Sequence, residues 1–166
     1  MHDFIAIGDI VIDAFIKLKD AKTNKEHSTI TLAFAEKVPY ESVEEIPAVG
    51  NSANAAVAAS RLGLTSALVT YLGSDENGKK CLDRLAEEKA STEFVSVEEG
   101  AKTNYHYVLW YEDDRTILVK HEEYRRTFPN IGKPKWLYFS SLGGDTLEYH
   151  KEIIEYLKNN QEVNLA

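Results

Sequence analysis

Stretches of unbroken apolar residues alternate along this chain with stretches of helical period. Phe4-Ile5-Ala6-Ile7 is apolar at every position, the pattern of a strand covered on both faces. Gly8 ends that run, and Ile10-Val11-Ile12 continue apolar up to Asp13. Ser66 to Leu72 (SALVTYL) and Trp136 to Ser140 (WLYFS) read as buried strands, and Val163 to Ala166 as the start of a further one. Asn51 to Leu62 (NSANAAVAASRL) is an alanine-rich helix with Gly63 just past its end. Lys79 to Ala90 is amphipathic, following a loop at 73–78, and Asp145 to Lys158 is a helix with apolar positions at Leu147, Ile153, Ile154 and Leu157. Strand, helix, strand, helix in this order predicts βαβ connectivity and a doubly wound, mostly parallel α/β sheet.

Two stretches do not fit that rhythm. Residues 14–47 mix a strand at Ala14–Lys19, polar turn material at 20–26, the β-formers of Ser28–Phe34 and a glutamate-rich, Pro39-containing segment at Lys37–Ile46. They predict short strands of a side sheet. Asn104–Tyr111 and Thr116–His121 flank Glu112-Asp113-Asp114-Arg115 and predict a β-hairpin.

Composition narrows the function classes. The 166 residues argue for one domain, and a net charge of −8 argues against a nucleic-acid partner, since a phosphate backbone is repelled without a segregated basic face. The one short basic cluster, Arg125-Arg126, reads as solvated surface. Glu41–Glu45 likewise reads as a solvated face. A single cysteine, Cys81, allows no internal disulfide and fits a small core hydrophobe. The start of the chain lacks a secretory pattern and no segment has the length of a membrane span, so a cytoplasmic protein is expected. His2, His27, His106, His121 and His150 show no metal-ligand spacing.

Two places carry candidate chemistry. Asp13 lies past the first strand, where ligands of open α/β sheets bind. A carboxylate there can accept hydrogen bonds from neighbouring hydroxyls of a polyol; a turn residue is the alternative. Gly50 precedes the alanine-rich helix and lets the backbone approach a ligand. Asn51 and Asn54 sit on the first turn, three apart, among free N–H groups, with amides suited to hydroxyl recognition. The alternative is a capped helix start with Asn51 or Ser52 as the cap. The G-x-G-x-x-G and G-x-x-x-x-G-K-[ST] fingerprints are absent, which disfavours a dinucleotide-binding or P-loop enzyme.

Residues 5–13 (IAIGDIVID) followed by 50–78 resemble the opening half of the PfkB, ribokinase-like family of sugar and nucleoside kinases. The spacing from Asn54 through Ala56 and Gly63 to Gly73 is similar to the family's first signature, and Gly73-Ser74-Asp75-Glu76-Asn77-Gly78 to its G-x-D-x-x-G segment. Two positions differ: Val49-Gly50 stands for the usual Gly-Gly, and Ser52 for a small Gly, Ala or Pro. Asn51 occupies a position that is lysine in ribokinases proper, so a ribose specificity does not carry over.

The resemblance implies a ribokinase-like α/β core (1–13, 48–103 and 122–166) with a small β-sheet lid (14–47 and 104–121), truncated before the C-terminal half. It implies that Asp13, Gly50 and Asn54 hold sugar hydroxyls, with Asn51, Tyr105 and Tyr107 as further substrate contacts; packing is the alternative for the two tyrosines, and Ser141 is a weaker candidate. ATP and Mg2+ are expected for the full-length enzyme and neither for this chain, because the family's catalytic aspartate stands in a G-A-G-D motif that this sequence lacks. Gly143-Gly144-Asp145 is expected instead to be a strand-to-helix loop with Asp145 as helix cap. The implied function is phosphate transfer to a hydroxymethyl group of a sugar or nucleoside by the parent protein, with this chain inactive alone and a homodimer formed through the lid sheet. The alternative is a non-catalytic sugar-binding or oligomerisation module.

Overall fold

The computed structural model describes residues 2–26 and 28–166, so the expectation for His27 falls outside the described residues. In chain order the elements are β1 (Phe4–Ile7), β2 (Val11–Leu18), β3 (Lys22–Asn24), β4 (Thr29–Thr31), β5 (Tyr40–Val49), α1 (Asn51–Arg61), β6 (Ser66–Gly73), α2 (Glu76–Glu87), β7 (Val95–Glu98), β8 (Tyr105–Tyr111), β9 (Asp114–Leu118), β10 (Trp136–Phe139), α3 (Leu147–Asn159) and β11 (Asn164–Leu165). The chain divides into two compact units: Met1–Ile12 with Pro47–Asn104 and His121–Ala166, and Asp13–Ile46 with Tyr105–Lys120.

The first unit is built on a five-stranded sheet in the order β11-β10-β1-β6-β7. Every pairing in it is parallel, with Phe4 opposite both Trp136 and Ser66. The continuous apolar runs are explained by this arrangement, because β1 and β6 are central and buried on both faces. One face carries Ile5, Ile7, Val69 and Leu137 into a core completed by Tyr149 and Ile153 of α3 and by Val163. The opposite face, with Ala6 and Leu68, is where α1 lies on β1 and β6. The inward side chains of α1 are Ser52, Ala53, Ala56 and Ala59, small enough for a close helix-to-sheet approach.

Several boundaries differ from the sequence reading. Helix α2 starts at Glu76, three residues before the expected Lys79, because Asp75 caps it by accepting from the Gly78 N–H at 2.9 Å. The inward face of α3 is Tyr149 and Ile153, while Leu147 and Ile154 are 69% and 51% exposed, so an aromatic holds a position that the aliphatic pattern had assigned elsewhere. The cap position of α3 is Thr146, not Asp145; Asp145 precedes it with φ 53°, and Thr146 makes no side-chain cap bond. Strand β7 was not expected, since an exposed edge strand reading VSVE has no apolar run to announce it.

In the second unit the sheet order is β5-β2-β8-β9, with β3 and β4 forming a separate antiparallel pair. The β8–β9 pairing runs from Tyr107 opposite Leu118 to Tyr111 opposite Asp114. The hairpin turn is therefore Glu112-Asp113 alone, tighter than the expected 112–115, with Glu112 at φ 54°. The glutamate-rich segment is a strand as expected, but a single ten-residue one, Tyr40–Val49, rather than a short one, with its first six positions exposed. Among the described residues no helix is long and apolar enough to cross a membrane.

Candidate functional site

In a parallel sheet the carboxyl ends of the strands open toward the ligand crevice. In the first unit that end is assembled from the segment after β1, the tip of α1, the loop after β10 and the irregular stretch at 121–128. Gly50 caps α1 with φ 120°, and a Cβ there would lie 2.9 Å from the Asp9 carbonyl oxygen. Only glycine satisfies both the backbone angle and the approach. No side chain caps the helix, which removes the reading of Asn51 or Ser52 as its cap. Ser52 is fully buried and its hydroxyl donates to the Asp9 carbonyl at 3.3 Å, whereas Asn51 and Asn54 are exposed on the first turn. Gly50, Asn51 and Asn54 are thus brought together at one helix tip.

The Asp9 side chain joins several segments of this region, and it was not singled out from the sequence. Its Oδ1 lies 2.8 Å from Arg126 Nη1 and its Oδ2 3.0 Å from Nη2. The same Oδ2 accepts the Gly143 N–H at 2.7 Å, and His121 Nδ1 stands 3.9 Å away. The Arg126 guanidinium lies over the rings of Tyr71 and Tyr124, 5.0 and 5.7 Å from their centroids. The solvated-surface reading of Arg125-Arg126 therefore fails for Arg126, whose side chain is 8% exposed. A buried aspartate and a buried arginine 117 positions apart leave no local signal in one sequence.

Two further polar hubs hold this end of the sheet. Asn104 is completely buried: its Nδ2 donates to the Ile10 carbonyl at 3.1 Å, its Oδ1 accepts from the Glu122 N–H at 2.7 Å, and its carbonyl accepts from the Ile12 N–H at 3.1 Å. Asp75 accepts from the Thr103 N–H at 3.1 Å and hydroxyl at 2.6 Å, while the Thr103 hydroxyl oxygen accepts from the Gly73 N–H at 3.1 Å. A Cβ on Gly78 would lie 2.1 Å from the Gly73 carbonyl oxygen, so the G-x-D-x-x-G segment is a fastening between α2, β6 and residue 103. Cys81 is fully buried, its sulfur accepts from the Ala48 N–H at 3.3 Å, and burial pushes its thiol up to about 11.

In the second unit, Asp13 on β2 and His106 on β8 pair at 3.5 Å between Oδ1 and Nδ1, their side chains 18% and 12% exposed. Burial raises the Asp13 carboxyl above its ordinary value, against the opposing pull of His106 and Arg115. Tyr105 and Tyr107 meet edge to face at 5.2 Å. The Tyr105 hydroxyl donates to Glu45 at 2.5 Å, and its burial and that carboxylate both push the phenol above its ordinary value; Tyr107 is half exposed.

Comparison with known proteins agrees with this architecture. A ribokinase from Arabidopsis thaliana, solved with ribose and ATP, superposes with a TM-score of 0.72 at 15% identity, over 99% of this chain and 52% of that one. A nucleoside kinase from Methanocaldococcus jannaschii gives 0.69 at 15% identity, over 92% and 48%. An uncharacterized sugar kinase from Pyrococcus horikoshii gives 0.68 at 19% identity, over 98% and 53%. The chain spans about half the length of the solved structures it matches. Sequence comparison with curated proteins gives no match. The expected mostly parallel α/β sheet with a small second sheet is the fold these kinases share. The match to the description "pfkB family carbohydrate kinase" runs over residues 1–166, and the chain belongs to that family.

Proposed function

We propose that this chain is the acceptor-binding part of an ATP-dependent kinase that phosphorylates a hydroxymethyl group of a sugar or nucleoside. The observation that carries the reading is the family match across residues 1–166, joined to a glycine-led helix tip at the carboxyl end of a parallel sheet. The structural neighbours include a ribokinase with ribose and ATP and a ribokinase with ADP, which supports nucleotide use by the parent protein.

Acceptor recognition is assigned to Gly50, Asn51 and Asn54 at the tip of α1 and to Asp13 on β2. The asparagine amides donate to and accept from hydroxyls, and the Asp13 carboxylate accepts from a pair of them. Tyr105 and Tyr107 supply apolar cover for the sugar. ATP with Mg2+ supplies the phosphoryl group. The sequence has no G-A-G-D segment, so the catalytic base and nucleotide contacts are assigned to a part of the parent protein outside this chain, which is then inactive alone. Trp110 and Ile117, 41% and 40% exposed on the sheet face opposite to Tyr107, support a homodimer through the β8–β9 sheet.

The test is steady-state kinetics of the full-length protein on pentoses, hexoses and nucleosides. Asp13→Ala and Asn54→Ala are each expected to raise the acceptor KM at least tenfold with the ATP KM within twofold of wild type. An unchanged acceptor KM in Asp13→Ala removes that residue from the site. A wild-type protein that transfers phosphate to no member of the panel, while binding a sugar by calorimetry, favours the non-catalytic sugar-binding module instead.

A further inference from the structure

Taking two charges out of water is expensive, and a well-packed apolar pair of similar volume is often as stable as a buried ion pair. The Asp9–Arg126 pair, with side chains 4% and 8% exposed, therefore needs a reason other than stability. Its position supplies one. Asp9 stands two residues past the end of β1, at the carboxyl end of the central strands, where the crevice of an open α/β sheet lies.

From there Asp9 reaches three separate pieces of chain. Its carbonyl takes the Ser52 hydroxyl from the first turn of α1 at 3.3 Å. Its backbone N–H donates to the Ser141 carbonyl at 3.1 Å, and its Oδ2 takes the Gly143 N–H at 2.7 Å, so the loop after β10 is held at two points. Its Oδ2 also accepts from Arg126 Nη2 at 3.0 Å, while Oδ1 lies 2.8 Å from Nη1 as an ion-pair contact without hydrogen-bond geometry. Arg126 is in turn oriented by Tyr71 and Tyr124, and the Tyr71 hydroxyl both donates to the Thr127 carbonyl at 2.7 Å and accepts from the Thr127 N–H at 2.8 Å. The stretch at 121–128 contains no helix or strand, and these side-chain bonds take the place of a ladder in fixing its course.

We propose that Asp9, acting through its hydrogen-bonded ion pair with Arg126 and its hold on Gly143, is a positioning residue for the acceptor crevice. It sets the tip of α1, the Ser141–Gly143 loop and the 121–128 stretch relative to one another without touching the substrate. The inference rests on the kinase reading above for its kinetic consequence, and on the hydrogen-bond geometry alone for its structural one.

The experiment compares wild type, Asp9→Asn, Arg126→Met and the double variant in the full-length protein. It measures acceptor and ATP KM, kcat, the urea midpoint and amide exchange at Gly143. Asp9→Asn keeps the volume and an acceptor for Gly143 but removes the charge that orients Arg126. Each single variant is expected to raise the acceptor KM about tenfold or more, with the ATP KM within twofold. The double variant should fall within twofold of the worse single, because both break one unit. Gly143 exchange should quicken in Asp9→Asn by about tenfold. An acceptor KM within twofold of wild type in folded Asp9→Asn overturns the proposal, as does a rise in both KM values that merely tracks lost stability. Where Asp9→Asn does not fold, Arg126→Lys, which keeps the charge and loses the planar guanidinium held over Tyr71 and Tyr124, carries the same comparison. Failure of the kinase reading shows separately, as a wild type that phosphorylates no pentose, hexose or nucleoside. Gly143 exchange then decides whether Asp9 holds the loop, and an unchanged rate sinks the inference.

Discussion

Asp75→Ala is the sharpest test of how the first unit is fastened. Asp75 caps α2 through the Gly78 N–H at 2.9 Å and accepts from both the N–H and the hydroxyl of Thr103, a residue 2% exposed. Loss of the cap costs about 0.5–2 kcal/mol. Leaving the buried Thr103 N–H without an acceptor costs about 1–3 kcal/mol more. The Thr103 hydroxyl can turn to another acceptor, so it adds little, and the sum is about 1.5–5 kcal/mol at neutral pH. The carboxyl itself sits below its ordinary value, since burial pushes it up but the bonds from Thr103 and Gly78 outweigh that push. The folded state therefore favours the carboxylate. Its stabilisation is complete above the ordinary carboxyl value of about 4 and disappears as pH falls through the lower folded value. Urea unfolding of wild type and Asp75→Ala should show the full gap at pH 7 and a narrowing gap toward pH 3. Amide exchange at Gly78 and Thr103 localises the loss to this fastening. A gap under about 1 kcal/mol at pH 7, or one that does not change with pH, refutes the reasoning.

Two further perturbations follow from buried polar groups. Asn104→Leu strips the acceptor from the Glu122 N–H and the donor from the Ile10 carbonyl, and should cost about 2–4 kcal/mol in urea unfolding, with faster exchange at the Ile12 amide; no loss would show that water replaces both bonds. Asn104→Asp should recover part of that loss at low pH, where the protonated acid can again donate to Ile10, and a pH-independent deficit speaks against it. On the proposed function, acceptor binding needs the Asp13 carboxylate, whose ionisation burial has shifted upward from 3.8. The acid limb of acceptor kcat/KM should therefore lie above that value. His106→Gln, by removing a charge that favours the carboxylate, should move it higher still, with Arg115 on β9 as the remaining cation; an unmoved limb separates Asp13 from binding.

The parts of this fold that were legible in the sequence are those where one physical signal repeats locally. Ile5, Ile7, Leu68 and Val69 announce central parallel strands because both faces are covered, and the alanines of α1 announce a close helix because small side chains leave room. Gly50 was legible as a close backbone approach, expected toward a ligand and found toward the Asp9 carbonyl, and Asn51 and Asn54 as neighbours on the first turn, where both are exposed. The misses have a common cause. Edge strand β7 buries too little to show a pattern, and the inward face of α3 uses Tyr149 where an aliphatic stripe was sought. Arg126 looks like a surface residue beside Glu122, Glu123 and Arg125, and only its tertiary pairing with Asp9 makes it interior.

That contrast bears on where the molecule places its buried polarity. Asp9, Ser52, Thr103, Asn104 and Thr146 are all 9% exposed or less, and each lies in or beside a segment that follows a strand or opens a helix; Ser66 and Thr70 are buried as well, but inside β6, and their hydroxyls make no hydrogen bond. Apolar contact is strong but non-directional, and it tolerates small rotations of a loop. A hydrogen-bonded carboxylate or amide does not, since a partly satisfied buried group costs more than an apolar one. Strand interiors need only burial, whereas loops at the carboxyl end of the sheet need fixed angles if they are to present a helix tip and backbone groups to a polyol. Apolar replacement of the Asp9–Arg126 pair, as in Asp9→Leu with Arg126→Met, should on this logic leave the urea midpoint near that of wild type while the acceptor KM rises. A double variant that loses stability and acceptor affinity in proportion would mean that the polar groups at this end serve the fold and nothing more.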